Sequence, residues 1–254
     1  MAENKITATH IRSHSPDKEH ISGLHSPQLL AKWPAIGLFM FLFGSLSFGG
    51  LTYNLLAKGP LLKWDQFLAV TLPAIGLSSP PYVKPIVDSG YYLGMYVLIA
   101  LAYLLGIYFF YKKSWQELVM LAIGQIGGSA LYLASSNYFD RVRPPTQIWI
   151  VEKTPSFPSG HALSAVVFFG FLAYIIAPKA STIFLKVAIA AAGLLIILFI
   201  GFTRVFTAGH YLTDVLAGYS IGIAWSGAFY TLAEIYFQKR RTGNTSRTRK
   251  KTPK

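Results

Sequence analysis

Polar residues in the second half of this chain fall into three short stretches between apolar runs. These stretches are Arg143-Pro144, then Pro158-Ser159-Gly160-His161, and finally Arg204 with His210 and Asp214. Arginine presents a planar fork of N–H donors that matches phosphate oxygens. Histidine can act as a nucleophile or move a proton near neutral pH. These residue types favour chemistry on a phosphate group.

Spacing within two of the stretches adds geometry. His210 and Asp214 are four residues apart, so on a helix they would share a face. The carboxylate could then accept a hydrogen bond from one ring nitrogen and leave the other free to attack, as in a triad built on a histidine nucleophile. Ser159 stands where a helix N-cap is expected, and Gly160 permits close backbone approach to an anion. His161, in the first turn, could donate a proton to that anion.

The composition indicates a membrane protein. The chain has 254 residues, 53% hydrophobic and only 13% charged, with a net charge of +13. A soluble domain is about one-quarter charged, so both a water-soluble globule and a disordered chain are excluded. Eight of the 23 cations lie in the last sixteen residues, which indicates a basic tail and no nucleic-acid surface. The lack of cysteine excludes disulfides, thiolate metal sites and cysteine nucleophiles.

Six apolar runs approach or exceed the length of about 20 residues that a transmembrane helix needs. They cover roughly 34–57, 90–111, 115–135, 161–177, 183–203 and 212–237. We therefore predict an all-α polytopic membrane protein with six transmembrane helices. Short interfacial helices are expected over 58–89, between spans one and two, with Trp64 as an aromatic anchor. The expected organisation is a polar, disordered N-terminus over 1–33, a membrane domain over 34–237 and a basic tail over 238–254.

Loop charges predict the orientation. With the N-terminus inside, the inner segments hold 16 of the lysines and arginines and the outer segments hold 7. Cations accumulate on the cytoplasmic side, so both termini are predicted to be cytoplasmic and the three polar stretches to meet at the outer face. A lone histidine at a helix end is usually structural. Only the combination of two histidines, two arginines and an aspartate on one face of the membrane favours chemistry. Irregular spacing favours a solvated terminus, not a metal site, for His10, His14, His20 and His25.

The three stretches resemble the signature of the type 2 phosphatidic acid phosphatase superfamily, which includes integral-membrane lipid phosphate phosphatases. The order and spacing of the second and third parts match, and the six-span layout extends the likeness over most of the chain. The resemblance implies an enzyme that acts on a phosphorylated lipid in the bilayer, with no cofactor and no metal. The outer loops offer only Asp140, Glu152 and Asp214 as hard metal ligands, without a carboxylate cluster near both histidines.

The resemblance also implies a role for each matching residue. His210 would attack phosphorus in line, oriented by Asp214, to give a phosphohistidine. His161 would protonate the leaving oxygen, and water would then release phosphate. The phosphate oxygens would be held by Arg143, Arg204, Ser159 and the Gly160 amide.

One position departs from the family pattern. The family has a lysine seven residues before the arginine of the first part, and Ser136 stands there. A phosphate-binding cation is therefore missing, and Arg141 or Lys153 is a candidate to supply the charge. Thr203 replaces the usual serine before Arg204 and keeps the hydroxyl.

Three functions remain open at this point. The favoured one is hydrolysis of a lipid phosphate or diphosphate, with undecaprenyl diphosphate, phosphatidylglycerol phosphate, phosphatidic acid and lipid A phosphates as candidates. The second is another activity of the superfamily, either phosphoryl transfer to a second lipid or hydrolysis of a soluble sugar phosphate. The third is a non-catalytic membrane protein that keeps a phosphate site, and Ser136 is its best support. The compact chain and its cationic asymmetry predict a bacterial inner membrane protein with a periplasmic site.

Overall fold

A computed structural model of the chain describes residues 33–249, with side chains described for 34–236. All of the regular secondary structure in this part is helical. The polar N-terminus with its four histidines lies outside the described residues, apart from residue 33. The same is true of the side chains of the basic tail. The predictions made for these two segments stay predictions.

Eight α-helices follow one another through the described residues. They are α1 (Trp33–Leu56), α2 (Leu61–Ser78), α3 (Val83–Tyr92), α4 (Leu98–Tyr111), α5 (Trp115–Phe139), α6 (Gly160–Ile176), α7 (Ile183–Phe206) and α8 (Leu212–Arg249). A π-helical turn, Leu93–Val97, joins α3 to α4 without a break, and a 3₁₀ turn, Ala177–Lys179, extends α6.

Six helical stretches of the described part are long and apolar enough to cross a bilayer, which confirms the predicted all-α, six-span fold. They are Pro34–Leu56, Val83–Tyr111, Trp115–Phe139, Gly160–Lys179, Ile183–Phe206 and Leu212–Tyr236. A helix satisfies its backbone hydrogen bonds internally, as hydrocarbon requires. Six crossings place the α5–α6 and α7–α8 connections on the same face.

The segment between spans one and two differs from the prediction in one respect. The second span begins at Val83, about two turns before the predicted Gly90, so α2 is the one separate helix between spans one and two. Lys84 and Asp88 form an ion pair of 2.5 Å at positions i and i+4. This ion pair stabilises the helical turns that precede Gly90. A prediction based only on apolar residues does not include those turns.

Two spans form the centre of the bundle. α6 and α8 are the most buried of the six, and small residues let them approach closely. Gly218 of α8 faces the Ser159 carbonyl, and Gly222 faces Leu163 and Val166 of α6. Both helices begin at the face where the two polar connections meet. Their N-terminal ends therefore set the position of the candidate site.

Candidate active site

Backbone hydrogen bonds join the two polar connections at one end of the bundle. The Ile148 N–H donates to the Thr207 carbonyl at 3.0 Å, and the Ser159 N–H donates to the Asp214 carbonyl at 2.9 Å. A tight turn closes the end of α7, where the His210 N–H donates to the Arg204 carbonyl at 3.1 Å. These bonds fix the α5–α6 connection against the start of α8. The polar side chains of both connections are thereby brought together.

Two arginines converge on one carboxylate. Arg143 Nη1 and Arg204 Nη2 each lie 2.5 Å from Oε2 of Glu152. The arginine residues are only 8% and 1% exposed, respectively, and burial of two cations is costly without an anion. We call Arg143, Glu152 and Arg204 the open cluster, because Arg143 and Glu152 line a groove. Among the described residues, nothing pairs with Nε of Arg204.

The His210 ring is held from both of its nitrogens. Nε2 lies 3.1 Å from Arg143 Nη1, and Nδ1 lies 2.7 Å from the Ser156 carbonyl oxygen. A carbonyl can only accept, so Nδ1 carries the proton and Nε2 keeps its lone pair. Asp214 Oδ2 is further from Nδ1, at 3.7 Å, and accepts from the Tyr211 N–H at 2.8 Å. His210 lies before the first residue of α8, so the helical spacing assumed for His210 and Asp214 does not apply to this pair.

Burial and charge keep the imidazole of His210 neutral. Burial lowers its pKa well below the usual value, and the positive charges of Arg143 and Arg204 lower that pKa further. The carboxylate of Glu152 opposes part of this effect. A neutral imidazole with an unprotonated Nε2 is the form that attacks an electrophile.

The second histidine faces the first across a short gap. The ring centres of His161 and His210 are 6.5 Å apart, and the Tyr91 ring lies 5.0 Å from His161. Gly94, in the π-helical turn, makes this approach possible, because a Cβ there would lie 3.1 Å from His161 Cδ2 and 2.8 Å from Ile200 Cγ2. Nothing in the described part of the chain pairs with the buried Nε2 of His161. Its ring is free to exchange a proton with a bound group.

The other residues predicted to bind phosphate, Ser159, Gly160 and Lys153, differ in whether they line the groove. The Ser159 hydroxyl accepts from the Ala162 N–H at 3.4 Å and is fully buried, so the predicted N-cap is confirmed. Gly160 and the exposed Lys153 line the groove beside His161. Ser136, at the position of the missing lysine, is buried and does not line the groove.

Arg141 belongs to a separate group of side chains. Its Nη1 donates to Asp214 Oδ1 at 2.5 Å and its Nη2 to Asp65 Oδ2 at 2.8 Å. We call Asp65, Arg141 and Asp214 the closed cluster, because none of the three lines the groove. With its guanidinium bonded to two carboxylates, Arg141 is not in a position to replace the missing lysine at the open cluster. Lys153 is the candidate that we retain.

Sequence reasoning missed Asp65 and the role of Glu152. Asp65 lies on α2, 76 residues before Arg141, and the spacing of local motifs carries no information on such a pair. The available signal was an acidic residue inside a mainly apolar helix, since a buried carboxylate needs a partner. Glu152 was considered only as a metal ligand. Among the described residues, no group of three or more histidines and acids is arranged to hold a metal ion.

An apolar groove of about 1420 Å³ leads away from the two histidines. Its walls are the second span and α5, from Gly94 to Tyr111 on one side and from Leu118 to Leu133 on the other. Arg143, Glu152 and Lys153 form its polar end. The groove can therefore hold a molecule with a charged head and a long apolar part.

The chain is similar to known proteins in sequence and in fold. The sequence profile of the PAP2 superfamily matches residues 113–237. Phosphatidylglycerophosphatase B of Bacillus subtilis (strain 168) is 33% identical over 118 residues, which are 45% of this chain, so the chain spans only 57% of that relative's length. The crystal structure of a transmembrane PAP2 type phosphatidylglycerolphosphate phosphatase from Bacillus subtilis aligns with a TM-score of 0.63 at 25% identity, over 82% of this chain and 97% of that one. The protein is a six-span integral membrane protein that is similar to the PAP2 superfamily over residues 113–237.

Proposed function

We propose that this protein hydrolyses a phosphomonoester or diphosphate on a membrane lipid, through a phosphohistidine formed at His210. One observation carries the proposal: Arg143 Nη1 lies 3.1 Å from the His210 nucleophilic nitrogen and 2.5 Å from the anionic oxygen that Arg204 also binds. A phosphate that replaces this carboxylate would meet both arginines. Its phosphorus would lie next to Nε2.

The reaction divides into two displacements. In the first, His210 Nε2 forms a bond to phosphorus while the bond to the leaving oxygen breaks, and His161 donates a proton to that oxygen. In the second, water attacks the phosphohistidine, gives its proton to His161, and the N–P bond breaks. Arg143 and Arg204 stabilise the charge on the equatorial oxygens in both transition states.

The length of the groove supports a lipid substrate. Its wall on the second span runs from Gly94 to Tyr111, about 25 Å of helix at 1.5 Å per residue, which is most of the hydrocarbon thickness of about 30 Å. The relative's name makes phosphatidylglycerol phosphate the first lipid to test. Phosphatidic acid, undecaprenyl diphosphate and lipid A phosphates present the same phosphate chemistry and follow it in the panel.

We place the site at the periplasmic face of a bacterial inner membrane, with both termini in the cytoplasm. The charge asymmetry of 16 cations against 7 supports this orientation. Three of the outer cations, Arg141, Arg143 and Arg204, are paired with carboxylates inside the protein. These three cations therefore serve the folded site, and the orientation rests on the count of lysines and arginines, whether or not they are paired.

Phosphate release by the purified protein tests the proposal. The four lipids are supplied in detergent with EDTA present, to the parental chain and to His210→Ala. We expect at least one lipid to be hydrolysed by the parental chain only, with no effect of the chelator. Release by His210→Ala at the parental rate, or loss of activity with EDTA, would contradict the proposed reaction. Addition of a second lipid as acceptor reports phosphoryl transfer by the same route.

A further inference from the structure

A buried acid on α2 has no role in the reaction described above. Asp65 of α2 is 1% exposed, and its carboxylate accepts three hydrogen bonds. The donors are Arg141 Nη2 at 2.8 Å, the Thr213 N–H at 2.9 Å and the Thr213 hydroxyl at 2.5 Å. A buried carboxylate is retained at a cost unless its partners are in place. α2 is thus bonded to the first turn of α8 at Thr213, three residues after His210.

Arg141 connects this acid to the second carboxylate of the closed cluster. Its Nη1 donates to Asp214 Oδ1 at 2.5 Å and to the Thr213 hydroxyl at 2.8 Å. The guanidinium also lies over the Tyr211 ring, 4.1 Å from its centre. Both arms of the fork and one face are therefore in use, which leaves the side chain a single position.

The backbone of Arg141 is also linked to His210, through the backbone of Ser156. The Ser156 N–H donates to the Arg141 carbonyl at 2.8 Å, and the Ser156 carbonyl accepts from His210 Nδ1 at 2.7 Å. Ser156 and Asp214, which both lie beside Nδ1, are thus each bonded to Arg141, Ser156 through its N–H and Asp214 through its carboxylate. Asp65 holds Arg141 in place from the other side.

We propose that Asp65 and Arg141 are positioning residues that keep the His210 ring in one orientation, with Nδ1 protonated and Nε2 unprotonated. They act through Ser156 and Asp214 and do not contact the reacting phosphate. The kinetic consequence rests on the proposed role of His210 as the nucleophile. The ring tautomer does not depend on that role, and it can be measured on a protein that turns nothing over.

The kinetic test uses Asp65→Asn, which keeps the shape and removes the charge. We expect kcat to fall about 10- to 100-fold, the cost of a nucleophile displaced by about 1 Å, and KM to stay within about twofold because the open cluster is untouched. Asp88→Asn is the matched control, since Asp88 also pairs with a cation at 2.5 Å but on the partly exposed surface of α3. The control should leave both constants unchanged. An unchanged kcat in Asp65→Asn, or a loss confined to KM, overturns the proposal.

The second readout is ¹⁵N NMR of the protein labelled at histidine, with the His210 signal assigned from His210→Ala. We expect a single Nδ1-protonated tautomer in the parental chain and in Asp88→Asn, and a mixture of tautomers in Asp65→Asn. If Asp65→Asn does not fold, Arg141→Lys takes its place, because it keeps the charge and loses the fork. A parental spectrum in the folded variant overturns the positioning role. Absence of phosphate release by the parental chain overturns the proposed function instead, and the spectra still decide the inference.

Discussion

The two arginine clusters differ in composition although Arg141 and Arg143 are separated by one residue. The open cluster has two arginines around one carboxylate, Glu152. The closed cluster has one arginine between two carboxylates, Asp65 and Asp214. The first keeps an excess of cationic groups at the end of a groove, where an anion can enter. The second has no such excess and does not line the groove.

The difference shows that arginine–carboxylate pairs can serve two purposes, anion binding in one cluster and positioning in the other. Buried ion pairs seldom add much to stability, because desolvation offsets the attraction. In this protein, the two clusters differ in whether the pairing leaves an excess of positive charge. In the open cluster, Nε of Arg204 has no partner among the described residues, and both arginines share one anion that a phosphate could replace. The closed cluster uses its donors to fix the surroundings of His210. Carboxylates close to His210 also favour the positive charge that its ring gains on phosphorylation.

Removal of an arginine from the open cluster should have the largest effect. We expect Arg204→Gln to lower kcat/KM about 10²- to 10³-fold, the usual loss for one preorganised donor to a developing oxyanion. Lys63→Gln, which removes an exposed cation from α2 on the same face, should leave kcat/KM unchanged. Steady-state phosphate release measures both. Equal effects of the two changes would mean that net charge, and not the cluster, binds the substrate.

Crowding of His161 should have the next largest effect. We expect Gly94→Ala to lower kcat about 10-fold or more, because the new methyl group would press on His161 and Ile200 and displace the ring. Gly49→Ala is the control, because a Cβ at that position of α1 meets nothing within 4 Å. Thermal unfolding of both variants checks that the bundle remains intact. Identical kcat values for the two variants would argue against a close role for His161.

Removal of the carboxylate from the open cluster should strengthen anion binding. Glu152 pairs with both arginines, so a phosphate must compete with it. We expect Glu152→Gln to lower the inhibition constant of inorganic phosphate about tenfold, equivalent to roughly 1.4 kcal/mol. Asp140→Asn, on the same connection but outside both clusters, should leave the constant unchanged. Weaker inhibition in Glu152→Gln would show that the carboxylate helps to hold the anion.

The smallest effect is expected in the pH profile. Because burial and the two arginines lower the pKa of His210, its ring should stay neutral as the pH falls through the usual histidine value of about 6.5. The acid limb of kcat/KM should therefore lie below that value. Arg143→Gln removes one of the cations and should move the limb to higher pH, by up to about one unit. A shift in the opposite direction would mean that the limb reports another group.

Periodicity and local motifs predicted much of this molecule. The six spans follow from apolar runs because hydrocarbon admits only helices with few charges. The N-cap at Ser159 follows from the residues that flank a helix start. Both depend on neighbours in the sequence, so the sequence alone contains the information.

The contacts that distinguish the two clusters could not be predicted in this way. Arg141 was a candidate for phosphate binding because it lies near Ser136 in sequence, whereas its partner Asp65 is 76 residues away. His210 and Asp214 were expected to share a helix face, but His210 precedes α8. Ser156 then becomes the nearest acceptor for Nδ1, through a carbonyl that no side-chain motif reveals.

Detection of the covalent intermediate tests the central claim most directly. The purified protein is mixed with the lipid that it hydrolyses, quenched in alkali, where phosphohistidine survives, and digested for mass spectrometry. We predict one phosphoryl group on His210 in the parental chain, and neither adduct nor turnover in His210→Ala. A phosphoryl group on another residue, or phosphate release by His210→Ala at the parental rate, would contradict the account.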